Sequence, residues 1–181
     1  MTESPRVTDS EEIRRILEER AHELARVPEE DDDGERVTLV VVTLGGERYG
    51  IDIGGVREIR ETAEITPMPA TPPFWLGLVN LRGALYPVLD LARYLGQRAD
   101  RAGGDAGEIV VVEGPGIALG LKVDAVPEVV TIRRAEIGPS LVEATADRPH
   151  VYAGLTSDLL AVLDLDALLA DPALVVQDEV D

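Results

Sequence analysis

Apolar and polar residues follow two different periods along this chain. Over the first 33 residues the spacing is helical: Ile13, Ile16, Leu17 and Leu24, with Ala21 between them, form one apolar stripe. Thr8 with Glu11, or Asp9 with Glu12, offers a capping box at its start. Pro28 and the run Glu29–Asp33 stop the helix and make a solvated acidic linker. A stripe of this kind has to bury itself, and the protein's own surface is its expected seat ahead of a partner's.

From Val37 onward the period is that of β-strands. VTLVVVTL (Val37–Leu44) is a β-branched run that ends in Gly45-Gly46, a hairpin signal, and Glu47–Ile53 alternates as a return strand. Val56–Ile59 reads as a short strand or helical turn, followed by a Pro-rich stretch, Pro67–Pro73. Gly77–Leu81 and Ala84–Leu91 flank Arg82-Gly83 as the arms of a tight hairpin, with Pro87 demoting the second arm to an edge or a bulge. Leu91–Leu95 is a helical turn or two with Asp90 as its N-cap. After a Gly-, Arg- and Asp-rich seam at Gln97–Gly107, the same texture returns in EIVVVEG, GIALGLKV, VPEVVTI and the hairpin VYAGLTS/LLAVLDL, closed by a short helix at Asp166–Ala170.

That return is a duplication. GIDIGGVREI, starting at Gly50, recurs as GLKVDAVPEV, starting at Gly120, and PVLDL at Pro87–Leu91 recurs as AVLDL at Ala161–Leu165. Val56 matches Val126 and Glu58 matches Glu128. Offsets of 70 and 74 residues exceed a solenoid period and suit two small copies of one module. Lone cores of that size are marginal, so the copies are expected to pack on each other. Short strands, Gly turns and stub helices suit an all-β fold of two small SH3-like or OB-like barrels better than one large sandwich. The expected boundaries are a helix and linker over 1–36, a domain over 37–171 and an acidic tail over 172–181. Within the domain, one barrel is expected at about 37–96 and the other at about 105–171.

Composition narrows the function. With 35 acidic against 17 basic residues and a net charge of −18, the chain has no basic footprint for nucleic acid and would be repelled by an anionic membrane. It has no cysteine, hence no disulfide and no thiolate metal site. Its start lacks a signal-peptide pattern and no apolar run approaches a spanning length, so a cytoplasmic location without membrane insertion is expected.

Catalytic and metal signatures are missing. His22 and His150 lie in different modules with no acidic partner at ligand spacing, and read as solvated. There is no G-x-S-x-G, Walker-A or G-x-G-x-x-G sequence; Gly114-Pro115-Gly116 reads as a hairpin turn. Asp90 and Asp164, at matching places in the repeat, invite an aspartate-dependent hydrolase as a remote alternative, but helix capping accounts for both. Pro69–Pro72 fits P-x-x-P, with a stiffened loop its expected use. Arg82 is a charge between two apolar segments, and Glu58 is its candidate partner through a fork-to-carboxylate pair. In the second copy Ser157-Asp158 stands at that turn, so the copies diverge there.

Gly50–Ile59, then Pro72–Gly83 (PPFWLGLVNLRG), then Pro87–Leu91, resemble the CheW chemotaxis coupling proteins. With GLKVDAVPEVV and the closing GLTSDLLAVLDLDALL in the same order, the resemblance spans about Val37–Ala170. It implies two SH3-like five-stranded β-barrels packed together, no enzymatic activity and no cofactor or metal. It implies two partners: the cytoplasmic tip of a chemoreceptor (a methyl-accepting chemotaxis protein) and the regulatory domain of the histidine kinase CheA, itself CheW-like. The family's receptor-contacting arginine falls on Arg82, with Asn80 beside it. Its V-x-E-I segment falls on Val56 and Glu58, and the glycine opening its Asn-Leu-Arg-Gly strand on Gly77. Val126 and Val129 are assigned to the second-barrel wall of the receptor groove. The N-terminal helix and acidic linker depart from the simplest members, which leaves a sister pathway such as pilus motility or another receptor system as the alternative. A receiver or ATP domain, which related architectures add, is not expected in the ten residues after Asp171.

Overall fold

Strand β1 (Arg36–Leu44) is apolar at almost every position because both of its faces are covered. Val40, Val42 and Leu44 belong to a core shared by two sheets, while Val37, Leu39 and Val41 belong to a second core inside one sheet. Its repeat counterpart β7 (Glu108–Gly114) behaves alike. Val110 and Val112 join the shared core, and Ile109 and Val111 line the interior of the other sheet. The computed structural model describes residues 13–18, 34–61, 63–97, 106–139 and 146–174.

The remaining strands of the first copy are β2 (Glu47–Asp52), β3 (Val56–Glu61), β4 (Ile65–Thr66), β5 (Trp75–Leu81) and β6 (Ala84–Asp90). Those of the second are β8 (Ile117–Val123), β9 (Ala125–Arg133), β10 (Tyr152–Leu155) and β11 (Ala161–Leu163). They form a 5-stranded sheet in the order β10-β11-β2-β1-β9 and a 6-stranded sheet in the order β3-β7-β8-β6-β5-β4. β3 and β4 stand at opposite ends of their sheet yet are close in sequence. In the other sheet the segment after β9 returns to β10 through the Gly138–Leu155 bridge. The fold is therefore all-β, as expected, with two sheets packed over a shared core.

The barrels do not divide at the seam between the copies. The β1–β2 hairpin of the first copy sits in the sheet of β9, β10 and β11, and the β7–β8 hairpin of the second sits in the sheet of β3–β6. The boundaries 37–96 and 105–171 are thus corrected: each copy lends its first hairpin to the other. Two parallel pairings make the exchange, Val88 with Gly120 and Val162 with Gly50. Gly50 and Gly120 sit in crowded places: an added Cβ would lie 3.0 Å from the Leu39 side chain at one and 2.7 Å from Ile109 at the other, so a neighbour would have to shift.

Residues 13–18 are helical, with Ile13 buried and Leu17 half-buried against the shared core, so the described part of the N-terminal stripe docks on its own protein. The proposed cap at Thr8 or Asp9, Ala21, Leu24, the linker Pro28–Asp33 and His22 lie outside the described residues. At the other end, Pro172–Leu174 is a 3-10 turn with Leu174 buried, so the ordered body runs past the expected boundary at 171. Among the described residues no helix is long and apolar enough to cross a membrane.

Candidate functional site

Asn80, Arg82 and Gly77 are carried by one structural device, the β5–β6 hairpin. Leu81 pairs with Ala84, leaving Arg82-Gly83 as a two-residue turn with φ of 53° and 84°. Both values are positive, the signature of the type I′ turn that matches strand twist. Holding a non-glycine residue in this region costs on the order of 1 kcal/mol. The Asn80 side-chain oxygen stabilises the turn by accepting the Gly83 N–H at 3.0 Å. Arg82 is left exposed at the tip, with no hydrogen bond or ion pair to any described residue. The expected pair with Glu58 is not made. Glu58 Oε1 instead accepts from Arg60 Nε at 2.7 Å, two residues along the same strand.

Gly77 contributes backbone shape, not contact surface. At φ 143° it forms the bulge of β5, and an added Cβ would lie 2.0 Å from the Thr66 carbonyl oxygen. Beyond the Gly77–Val88 pair the ladder continues through Leu78–Pro87, Val79–Tyr86, Asn80–Leu85 and Leu81–Ala84. In the second copy Gly154 pairs with Val162, only Leu155–Ala161 follows, and a loop takes over. Ten residues lie beyond the Gly77–Val88 pair and seven beyond Gly154–Val162, so at the strand rise of ~3.3 Å per residue the first hairpin reaches about 5 Å further. Pro87 is tolerated because β8 pairs with β6 only at Val88–Asp90, so β6 is an edge where the proline sits. The projecting hairpin also carries Leu85, 65% exposed, beside Asn80. Leu159, 74% exposed, occupies the matching place in the second copy. Sequence reading passed over Leu85; its signal was the 74-residue repeat that pairs it with Leu159.

The other assigned residues fall on two edge strands. Val56 and Glu58 lie on β3, at one end of the 6-stranded order, and Val126 and Val129 on β9, at one end of the 5-stranded order. Val126 and Val129 are three apart yet face the same shared core. The reason is a bulge: between the pairs Val41–Glu128 and Thr43–Ala125, β9 holds one residue more than β1. Val126 is only 4% exposed and is therefore a core residue with no face to offer a partner. Val56 and Val129 are half-buried on that core and do reach the surface.

The most chemistry-like cluster lies elsewhere. Asp171 is buried and accepts from Tyr94 Oη at 2.5 Å, from the Ala173 N–H at 2.9 Å and from Arg148 Nη1 at 3.4 Å. His150 Nε2 lies 3.2 Å from the same carboxylate, so the histidine read as solvated has an acidic partner. The Arg148 guanidinium covers the Tyr94 ring at 4.4 Å and donates to the Tyr94 carbonyl at 2.8 Å. Burial pushes the Asp171 carboxyl up, but the Tyr94 and Ala173 hydrogen bonds and the Arg148 charge outweigh it, leaving its pKa below the ordinary value. Burial and the Asp171 acceptor push the Tyr94 phenol up. The cluster pins the end of the second copy to the helix Leu91–Tyr94 of the first.

Asp90 and Asp164 cap separate short helices, accepting the backbone N–H of Arg93 at 3.3 Å and of Ala167 at 3.0 Å. Capping accounts for both aspartates, each at its own helix. Among the described residues no group of three or more His, Cys, Asp or Glu is placed to hold a metal ion.

The sequence profile of the CheW-like domain matches residues 38–173. A chemotaxis protein CheW from Rhizobium meliloti is 35% identical over 134 residues, which cover 72% of this chain and 85% of that protein. A probable chemotaxis protein CheW from Rhizobium etli is 32% identical over 138 residues, covering 74% and 87%. Among solved structures, the scaffolding protein TtCheW from Thermoanaerobacter tengcongensis is similar with a TM-score of 0.65 and 34% identity, covering 77% of this chain and 91% of that one.

Proposed function

The chain belongs to the CheW family, and from that premise we propose that it couples the cytoplasmic tip of a chemoreceptor to the regulatory domain of the histidine kinase CheA. It is a non-catalytic chemotaxis scaffold. The observation that carries the finer reading is the presentation of Arg82. A cation held in a left-handed turn that Asn80 clamps, and left without a partner among the described residues, is what a helical target with an acidic or carbonyl-rich edge would engage. Exposed Leu85 beside it, and half-buried Val56 and Val129 on the shared core, supply apolar contact for such a helix. Glu58, tied to Arg60 on β3, would act through its neighbouring strand residues. Gly77 acts by shaping the hairpin. The CheA regulatory domain, being CheW-like by the resemblance, would meet barrel ends on this chain.

The test is a titration of wild type and Arg82→Ala against a soluble receptor-tip hairpin. Micromolar binding by the wild type, weakened in a variant with unchanged melting, supports the coupling role. Wild-type binding left intact by Arg82→Ala removes the arginine from the interface.

A further inference from the structure

Val56 and Glu58 stand two residues apart on β3, a spacing that in a regular strand puts both side chains on one face. The register against β7 separates them. Val56 pairs with Val112 and Glu58 with Val111, so β3 holds one residue, Arg57, more than its partner strand. Directly opposed residues of an antiparallel pair share a face. Val112 belongs to the core between the sheets, and Val56 packs against that core. Val111 lines the interior of the 6-stranded sheet, and Glu58 opposite it is turned that way. Ile59, opposite Val110, returns to the shared core, and Arg60, opposite Ile109, again faces the interior. There Arg60 Nε donates to Glu58 Oε1 at 2.7 Å. The Glu58 side chain is only 16% exposed, and Arg60 Nη2 is buried with no acceptor among the described residues.

We infer that Arg60 is a positioning residue of the receptor site: it supplies the counter-charge that keeps Glu58 facing the sheet interior, and so holds the β3 bulge that seats Val56 on the shared core. Glu58 then affects partner binding without touching the partner. The inference rests on the reading above that Val56 meets a receptor helix, and it gives the glutamate a different task from the valine. Without Arg60 the carboxylate lies opposite Val111 with no opposite charge beside it, and a charge left unpaired in such a place is strongly disfavoured. β3 stands at the end of its sheet order, so the β7 ladder alone holds its register. A slip of one residue relieves the carboxylate by turning it outward, and the same slip turns Val56 inward. The Arg57–Glu113 pair at 3.1 Å is half-exposed on both sides and opposes the slip only weakly.

The test is a double-mutant cycle on the full chain, read by titration with a soluble receptor-tip hairpin well below the melting temperature. It compares wild type, Glu58→Gln, Arg60→Gln and the double variant. Each single variant is expected to bind about three- to tenfold more weakly, and the double variant no more weakly than either one. Arg60→Lys, which keeps the charge, should recover most of the loss. Weakening by Glu58→Gln alone, or losses that add in the double variant, makes Glu58 a direct contact and overturns the inference. Lower melting temperatures with unchanged affinities overturn it too, since a merely structural pair alters the folded fraction and not the folded protein's binding. Absence of binding by the wild type sinks the coupling reading, and the inference falls with it. Should the glutamine variants fail to fold, the carboxyl-carbon resonance of Glu58 in the wild type decides. It should hold its position when the hairpin is added at saturation, and a shift overturns the inference.

Discussion

Val88 lies opposite Gly120 in a parallel register that crosses from one copy of the repeat to the other, and Val162 lies opposite Gly50 in the matching place. Neither barrel can be completed by one copy, because each contains strands from both. A protease site built into residues 98–105 and cut in the folded protein should therefore leave two fragments that co-elute in gel filtration. They should part only in denaturant. Separation under native conditions would mean that the sheets follow the repeats after all.

That exchange marks the boundary of what the sequence could reveal. Turns and caps were readable because they are local: Gly45-Gly46, Arg82-Gly83, Asp90 and Asp164 each act within a few residues. The double-sided burial of β1 and β7 was written in their unbroken β-branched runs. Which sheet receives a hairpin is a non-local matter, and the same alternation serves either choice. The bulge that turns Val126 and Val129 toward one core depends on the register against β1. The His150–Asp171 contact joins residues 21 apart and has no spacing signature.

Arg82 carries backbone strain on behalf of its position, which makes stability and binding separable. Arg82→Gly should raise stability by about 1 kcal/mol by relieving the left-handed conformation, a gain of ~2–4 °C in melting temperature for a chain of this size. Arg82→Ala keeps the strain and should melt near wild type. Both should weaken receptor-tip binding about tenfold or more, as expected for loss of an anchoring arginine. Thermal melts paired with titrations check the contrast; a destabilised Arg82→Gly protein would contradict the turn assignment.

Glycines with positive φ differ in what surrounds them. At Gly77 an added Cβ would meet the Thr66 carbonyl oxygen at 2.0 Å, and at Gly154 the Gly138 carbonyl oxygen at 2.4 Å; at Gly83 it would meet nothing within 4 Å. Backbone atoms cannot swing away as side chains can. Gly77→Ala and Gly154→Ala should each cost about 3 kcal/mol or more, whereas Gly83→Ala should cost about 1 kcal/mol from the turn conformation alone. Denaturant midpoints for the three variants rank them, and equal midpoints would show that conformation, not crowding, sets the penalty.

The Asp171 cluster gives the protein a dependence on acid pH whose sign is fixed by its hydrogen bonds. The folded-state pKa lies below the unfolded value of 3.8, so ionised Asp171 contributes stability that is fully present above that value. The contribution fades as pH falls from about 4 through the lower folded pKa. Asp171→Ala strips Tyr94, Arg148 and the Ala173 N–H of their shared acceptor and should cost about 2–3 kcal/mol at neutral pH. Because the lost term is the carboxylate's, the gap between wild type and variant should narrow in acid. At the alkaline end the argument reverses for Tyr94. Its folded pKa is raised above 10.0 by burial and by the carboxylate it donates to, so its contribution to stability is fully present below pH ~10 and is lost progressively as the pH rises beyond it. Melting curves of wild type and Asp171→Ala from pH 3 to pH 7 test the first claim, and a gap that stays constant with pH would refute it. Phenolate absorbance tests the second: Tyr94 should ionise only as the protein unfolds.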